Sequence, residues 1–187
     1  MRRNARRRRA RLLLWSALPC LVALAFAAKL LSLNLLAGQA RDAFTKDNPL
    51  ALAAAANWLG TINWLEPHKA EFAQGDAHVL EGDFTAARAA FETALAYAPG
   101  ADECKVRVNL VLSIEKLGDA RRAAGDDTAA NSQYEDGKAV VSAAPGSCFT
   151  VSAEGNADGE GERLSNAADR LASKTAAAGA EESRSEP

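Results

Sequence analysis

The sequence predicts an all-α protein in three parts: a membrane-spanning helix, a short solenoid of helical hairpins, and an acidic, mostly disordered tail. Three observations carry this. An uncharged apolar run follows an arginine cluster. The 111 residues from Gln39 to Phe149 are rich in Ala and Leu at helical spacing and almost lack runs of β-branched residues. From Thr150 to Pro187 the chain turns to Gly, Ser, Ala and Glu, with eight acidic and four basic residues. With 187 residues, 48% hydrophobic and 25% charged, a collagenous, fully disordered or polytopic membrane protein is excluded, and one modest domain is the ceiling.

The first element is Met1 to Arg11. It holds seven of the 22 basic residues, which leaves 15 against 24 acidic ones in the remainder. The bulk of the chain is therefore a poor general binder of nucleic acid. Leu12 to Ala28 carries no charge, and past Lys29 the apolar character continues to Gly38. A span over 12–36 follows, with Lys29 snorkelling outward and Cys20 inside the bilayer. Arginines against one end hold that end in the cytoplasm, so the expectation is a single-pass cell-membrane protein with an extracytoplasmic C-terminal domain. A competing reading is a cleaved secretory signal, because Ala25-Phe26-Ala27 has the small-x-small form of a cleavage site. Phosphate binding by the arginine run is a weaker alternative, since no aromatics are interleaved.

The domain at 37–149 follows. A degenerate repeat over 35–67 begins with Leu35 to Phe44, continuous with the span; Asn48-Pro49 then opens a helix from Leu50 to about Asn63. Trp58, Trp64 and Leu65 are core or membrane-interface residues. The clear repeat is 68–101, where Gly75, Gly82, Phe84, Ala87, Phe91, Ala94 and Pro99 define a helix-turn-helix unit. Phe84, Ala87, Phe91 and Ala94 fall on one helical face, Gly82 turns the chain and Pro99 stops the second helix. An extended repeat over 102–145 has a long first helix, about 102 to 124, with the extra residues placed between Lys116 and Gly125; Gly125, Ala130, Tyr134 and Gly137 restore the spacing.

These residues resemble the tetratricopeptide repeat (TPR), a 34-residue helical hairpin. With the arginine-rich start, the span, the phrase Cys104 to Leu112, Cys148-Phe149 and the acidic tail, the chain is similar to small single-span membrane TPR proteins of Gram-positive bacteria. These accompany membrane proteins with von Willebrand factor A domains and MoxR-type AAA+ ATPases. The resemblance implies a scaffold or adaptor that binds protein partners, with no enzymatic activity, no cofactor and no metal. The implied concave groove is lined by first helices, at Lys69, Phe72, Asp76 and Val79 in the clear repeat and at Glu103, Arg107, Asn109, Leu110 and Ser113 in the extended one. The alternative is an accessory of envelope assembly or an exported enzyme component.

Cys104 lies near the start of the long helix, the chain turns at Gly125, and Pro145-Gly146 ends the returning helix, so Cys148 comes back beside Cys104. In an exported domain these two form a disulfide, against the alternative of two buried thiols. Catalytic signatures are missing: His68 and His78 are the only histidines, and no CxxC, HExxH, GxSxG or phosphate loop occurs. Glu154, Asp158, Glu160 and Glu162 lack the order of calcium-loop ligands and read as a solvated linker. Within the 150–187 tail, Leu164, Ala167, Ala168 and Leu171 give a short helical stripe over 160–175, able to fold back on the last hairpin as a cap. Protease added outside intact protoplasts is expected to digest the domain while a cytoplasmic control survives; survival of both would reverse the orientation, and a mature N-terminus at Ala28 would make the span a signal peptide.

Overall fold

The computed structural model describes residues 2–61 and 66–185, with side chains placed for 15–61 and 66–176. Trp64 and Leu65, and the expected helix end at Asn63, lie outside the described residues. Among those described there are seven α-helices, two short 3-10 turns and no strand. The helices are α1 (Arg2–Thr45), α2 (Pro49–Gly60), α3 (Pro67–Glu81), α4 (Phe84–Tyr97), α5 (Gly100–Ala123), α6 (Asp127–Ser142) and α7 (Glu160–Ser185). Each packs chiefly against its neighbours in sequence, giving three consecutive hairpins, α1–α2, α3–α4 and α5–α6, closed by α7 on α5 and α6.

One turn is used three times. Asp47, Gly82 and Gly125 adopt left-handed backbone with φ of 52°, 77° and 77°. The next residues, Asn48, Asp83 and Asp126, each accept a hydrogen bond at 3.0 Å from the amide three positions on, at Ala51, Ala86 and Ala129. Their own amides reach back to the carbonyls of Ala43, His78 and Arg121. Each turn thus satisfies orphan groups at the end of one helix and the start of the next. Counting from the turns, residue 47 to residue 82 is 35 positions and residue 82 to residue 125 is 43.

The same offsets align the packing. Leu52, Ala87 and Ala130 occupy one position and are all buried. Gly75 and Gly118 face Phe91 and Tyr134; a Cβ on Gly75 would stand 2.5 Å from the Phe91 ring, and one on Gly118 would collide with the Tyr134 ring in the same way. In the first hairpin the equivalent residues are Ala40 and Ala56, both buried. The eight extra positions of the last repeat lie at the start of α5, which begins at Gly100. They do not lie between Lys116 and Gly125, where counting along the sequence had placed them. Fixing the register on the turn instead of on a 34-residue count is what moves them.

That N-terminal extension carries Cys104, which is bonded to Cys148 with the Cα atoms 5.4 Å apart. Helix α6 stops at Ser142, and Pro145 leads into the 3-10 turn Gly146–Cys148 that brings the second sulfur home. Closing this loop stabilises the last hairpin by about 2–4 kcal/mol.

Two expectations are corrected. The tail is not mostly disordered: 160–185 is helical, and Leu164, Ala167 and Leu171 are buried against α5 and α6. Composition missed this because the buried stripe is short and supported by ion pairs across 55 positions of sequence. The C-terminal part of the expected span at 12–36 belongs also to the first hairpin, since Leu33 is buried and Leu36 packs against the same core. Replacing Leu171 with Ala is expected to cost about 2–5 kcal/mol in urea unfolding of the detergent-solubilised chain. Backbone amides from 164 to 171 should resist hydrogen exchange as long as those of α6, whereas exchange within seconds would mean a detached tail.

Candidate functional site

The first helices of the three hairpins, α1, α3 and α5, bound a groove of about 380 Å³. Its walls come from Ala37, Ala40, Arg41 and Phe44 on α1, from His68, Lys69, Phe72, Ala73 and Asp76 on α3, and from Asp102, Lys105 and Val106 on α5. Leu52 and Leu59 of α2 also line it. Space is left on the α1 side in part because Ala37 stands where its counterpart by the 35-position offset, Phe72, carries a ring. The lining is mainly apolar with a few charged groups, the composition of a recognition site.

Most of those charges are already engaged. His68 is buried and its Nε2 lies 2.9 Å from Asp102 Oδ2, which ties the start of α3 to the first turn of α5. Lys69 pairs with Glu66 at 2.6 Å, and Lys105 with Asp158 at 3.3 Å. Asp76 differs. No hydrogen bond or ion pair joins it to another described residue, and burial pushes its carboxyl from 3.8 up to about 7. Its register counterpart in the next hairpin, Asp119, accepts from the Tyr134 hydroxyl at 2.9 Å and is met by the Lys174 ammonium of α7. At the second hairpin α5 takes the place that α7 takes at the third, and of its groove residues Val106 is apolar, Asp102 meets His68 and Lys105 pairs with Asp158.

Three of the expected groove residues, Lys69, Phe72 and Asp76, line this site. Val79 packs instead against the core that contains Phe91. The five residues from α5 are not brought here. Leu110 and Ser113 are buried in the domain, and Asn109 donates to the Lys105 carbonyl of its own helix at 3.4 Å. Arg107 is committed to Glu103 and to the Val140 carbonyl of α6, holding the hairpin together. Counted from the turns, the counterparts of Lys69, Phe72, Asp76 and Val79 on α5 are Leu112, Glu115, Asp119 and Arg122, which is why the five expected residues fall elsewhere. The α1 wall was missed for the related reason that the first helix was treated mainly as membrane span; the Asp47-Asn48-Pro49 turn signals its register.

No family model, no curated protein and no solved structure matches the chain. Among the described residues no cluster of His, Cys, Asp and Glu is arranged to hold a metal ion. What the groove provides chemically is a mainly apolar surface with charged groups at its rim and one partly desolvated carboxyl group, Asp76.

The Asp76 shift sets a pH dependence. Between pH 4 and 7 the folded carboxyl holds a proton that the unfolded chain has released, so stability falls as pH rises through that window. Asp76→Asn should therefore raise Tm most at pH 8, with the gain shrinking toward pH 4; an equal shift at every pH would show that the carboxyl titrates normally.

Proposed function

We propose that the chain is a membrane-anchored adaptor whose groove between α1, α3 and α5 holds a segment of a partner protein on the extracytoplasmic side. The observation that carries this reading is Asp76, without a partner among the described residues, in a mainly apolar groove formed by the first helices of three consecutive hairpins. Buried carboxylates are stable when paired, and one left alone in a groove lowers the cost of admitting a ligand that brings the missing donor. The tetratricopeptide reading is supported by the thrice-repeated turn and by the glycine–aromatic pairs at equivalent positions. In such solenoids the concave surface is the binding surface, which supports assigning the partner to this groove.

The anchor is the apolar part of α1. Among the described residues one helix stretch, Trp15–Thr45, is long and apolar enough to cross a membrane. The arginine cluster ahead of it supports a cytoplasmic N-terminus. From the resemblance of the whole chain, the partner is a membrane protein bearing a von Willebrand factor A domain, in a complex served by a MoxR-type ATPase.

A photo-crosslinking residue at Lys69 in the living cell tests this, with the same residue at the exposed Glu92 of α4 as control. Position 69 should give an adduct with one membrane protein, position 92 should give none, and Asp76→Lys should abolish the adduct while the protein level is kept. Equal adducts from both positions, or none from 69, would overturn the adaptor reading.

A further inference from the structure

Helix α1 is continuous from Arg2 to Thr45, so the apolar run and the first wall of the groove are one rod. The antiparallel α2 returns along that rod and ends at Gly60, where the Lys29 ammonium donates to the Thr61 carbonyl at 2.8 Å. Lys29 therefore marks the level at which α1 acquires a neighbour. A helix C-terminus with its free carbonyls does not enter hydrocarbon, because each unsatisfied group there costs several kcal/mol. A cation at that terminus is instead favourable, through both the hydrogen bond and the helix dipole. The hydrocarbon must stop short of Lys29, leaving Leu12 to Ala28. Those 17 residues give about 26 Å of helix, at the short end of what spans a bilayer.

Just at that boundary the surface turns aromatic and apolar. Trp58 is 66% exposed although it lies one turn before Thr61, at the end of a helix whose Leu59 is buried. Leu31 and Leu35, on α1 immediately past Lys29, are 66% and 69% exposed. Tryptophan with its apolar ring and N–H donor is the side chain that settles at the headgroup level of a membrane. Lysine with an apolar stem is its usual companion.

We infer that the open end of the first hairpin, with Trp58, Lys29 and the Thr61 turn, is a lipid-contact surface seated in the headgroup layer, so that the domain rests directly on the membrane. The inference rests on the single-span reading and on no property of the groove. Its occupant is the lipid interface because the spanning helix is covalently continuous with this surface, with no linker between them. A consequence follows for the groove: its α1 wall, Ala37 to Phe44, begins eight residues beyond Lys29, at most about 12 Å above the membrane surface. Segments that emerge from a neighbouring membrane protein are within its reach, and long extracytoplasmic loops are not required.

Spin labels read the depth directly. The full chain with Cys20→Ser is reconstituted in phosphatidylethanolamine–phosphatidylglycerol nanodiscs, and single labels are placed with Trp58→Cys, Leu50→Cys or Leu24→Cys. Leu50 is an exposed residue at the far end of α2, and Leu24 lies in the apolar run. The ratio of oxygen to aqueous nickel-chelate accessibility should be highest at 24, intermediate at 58 and severalfold lower at 50. A label at 58 as water-accessible as that at 50, with 24 still in hydrocarbon, overturns the seating and assigns Trp58 to a protein partner. A water-accessible label at 24 overturns the span itself.

Discussion

The closeness of consecutive helices is the constraint on which everything else in this chain depends. Gly75 lets α4 approach until Phe91 lies against the α3 backbone, and Gly118 does the same for Tyr134 on α5. Gly137 then admits Leu171 of α7 at a Cβ-equivalent distance of 2.8 Å. Interiors packed to crystalline density leave no slack at such sites, and a side chain added there displaces a ring or a helix. Spacing set by glycine on one helix and an aromatic ring on the next fixes how far apart α3 and α5 stand. The groove width is a result of that spacing.

The C-terminal end is closed by a second kind of constraint. Glu115 is buried, and although burial pushes its carboxyl up, hydrogen bonds from Arg170 and Lys174 hold it below the usual carboxylate range. Tyr134 stacks under Arg122, whose guanidinium carbon lies 4.9 Å from the ring centroid. The disulfide, with Gly155 pressed on Cys104 and Gly161 on Cys148, locks the loop that leads into α7. An ionised carboxylate buried with two cations is stable at Glu115, whereas half-buried Asp76 has no hydrogen bond or ion pair to another described residue and its carboxyl is pushed up to about 7. Two register-related acidic positions, Asp76 and Asp119, thus differ in what surrounds them: Asp119 receives the Tyr134 hydroxyl and the Lys174 ammonium, whereas Phe91, the counterpart of Tyr134, has no hydroxyl to offer Asp76.

The helical class, the turn at Gly82, the Cys104–Cys148 pairing and the stripe in α7 were legible because each rests on local chemistry or on chain direction. A left-handed glycine followed by an aspartate cap is visible in three residues. The register of α5 was not legible from counting, because the extra residues sit before the helix's common part and an insertion has no signature inside a continuous helix. The folding of the tail was illegible for a different reason: Arg170 and Lys174 look like ordinary surface charges until Glu115 and Asp119 are placed opposite them. His68 is similar, a histidine beside a proline in sequence and a buried clasp to Asp102 in three dimensions.

An unbroken α1 has a mechanical consequence that a flexible tether would not have. A linker would let the domain tumble, and the groove would sample all orientations above the bilayer at an entropic cost for each encounter. Here the residues that form the groove's first wall are helical neighbours of the apolar run, and α2 braces them through the Lys29–Thr61 bond. Pro19 lies within the apolar run, ten positions before Lys29, so the bend it permits falls inside that run and not at the groove. A rod of this kind presents the groove at a fixed height, and the ordering cost of docking is met in folding. In the proposed membrane-anchored adaptor, partner selection then depends on which segments the membrane itself brings to that height, as well as on the Asp76 carboxyl group.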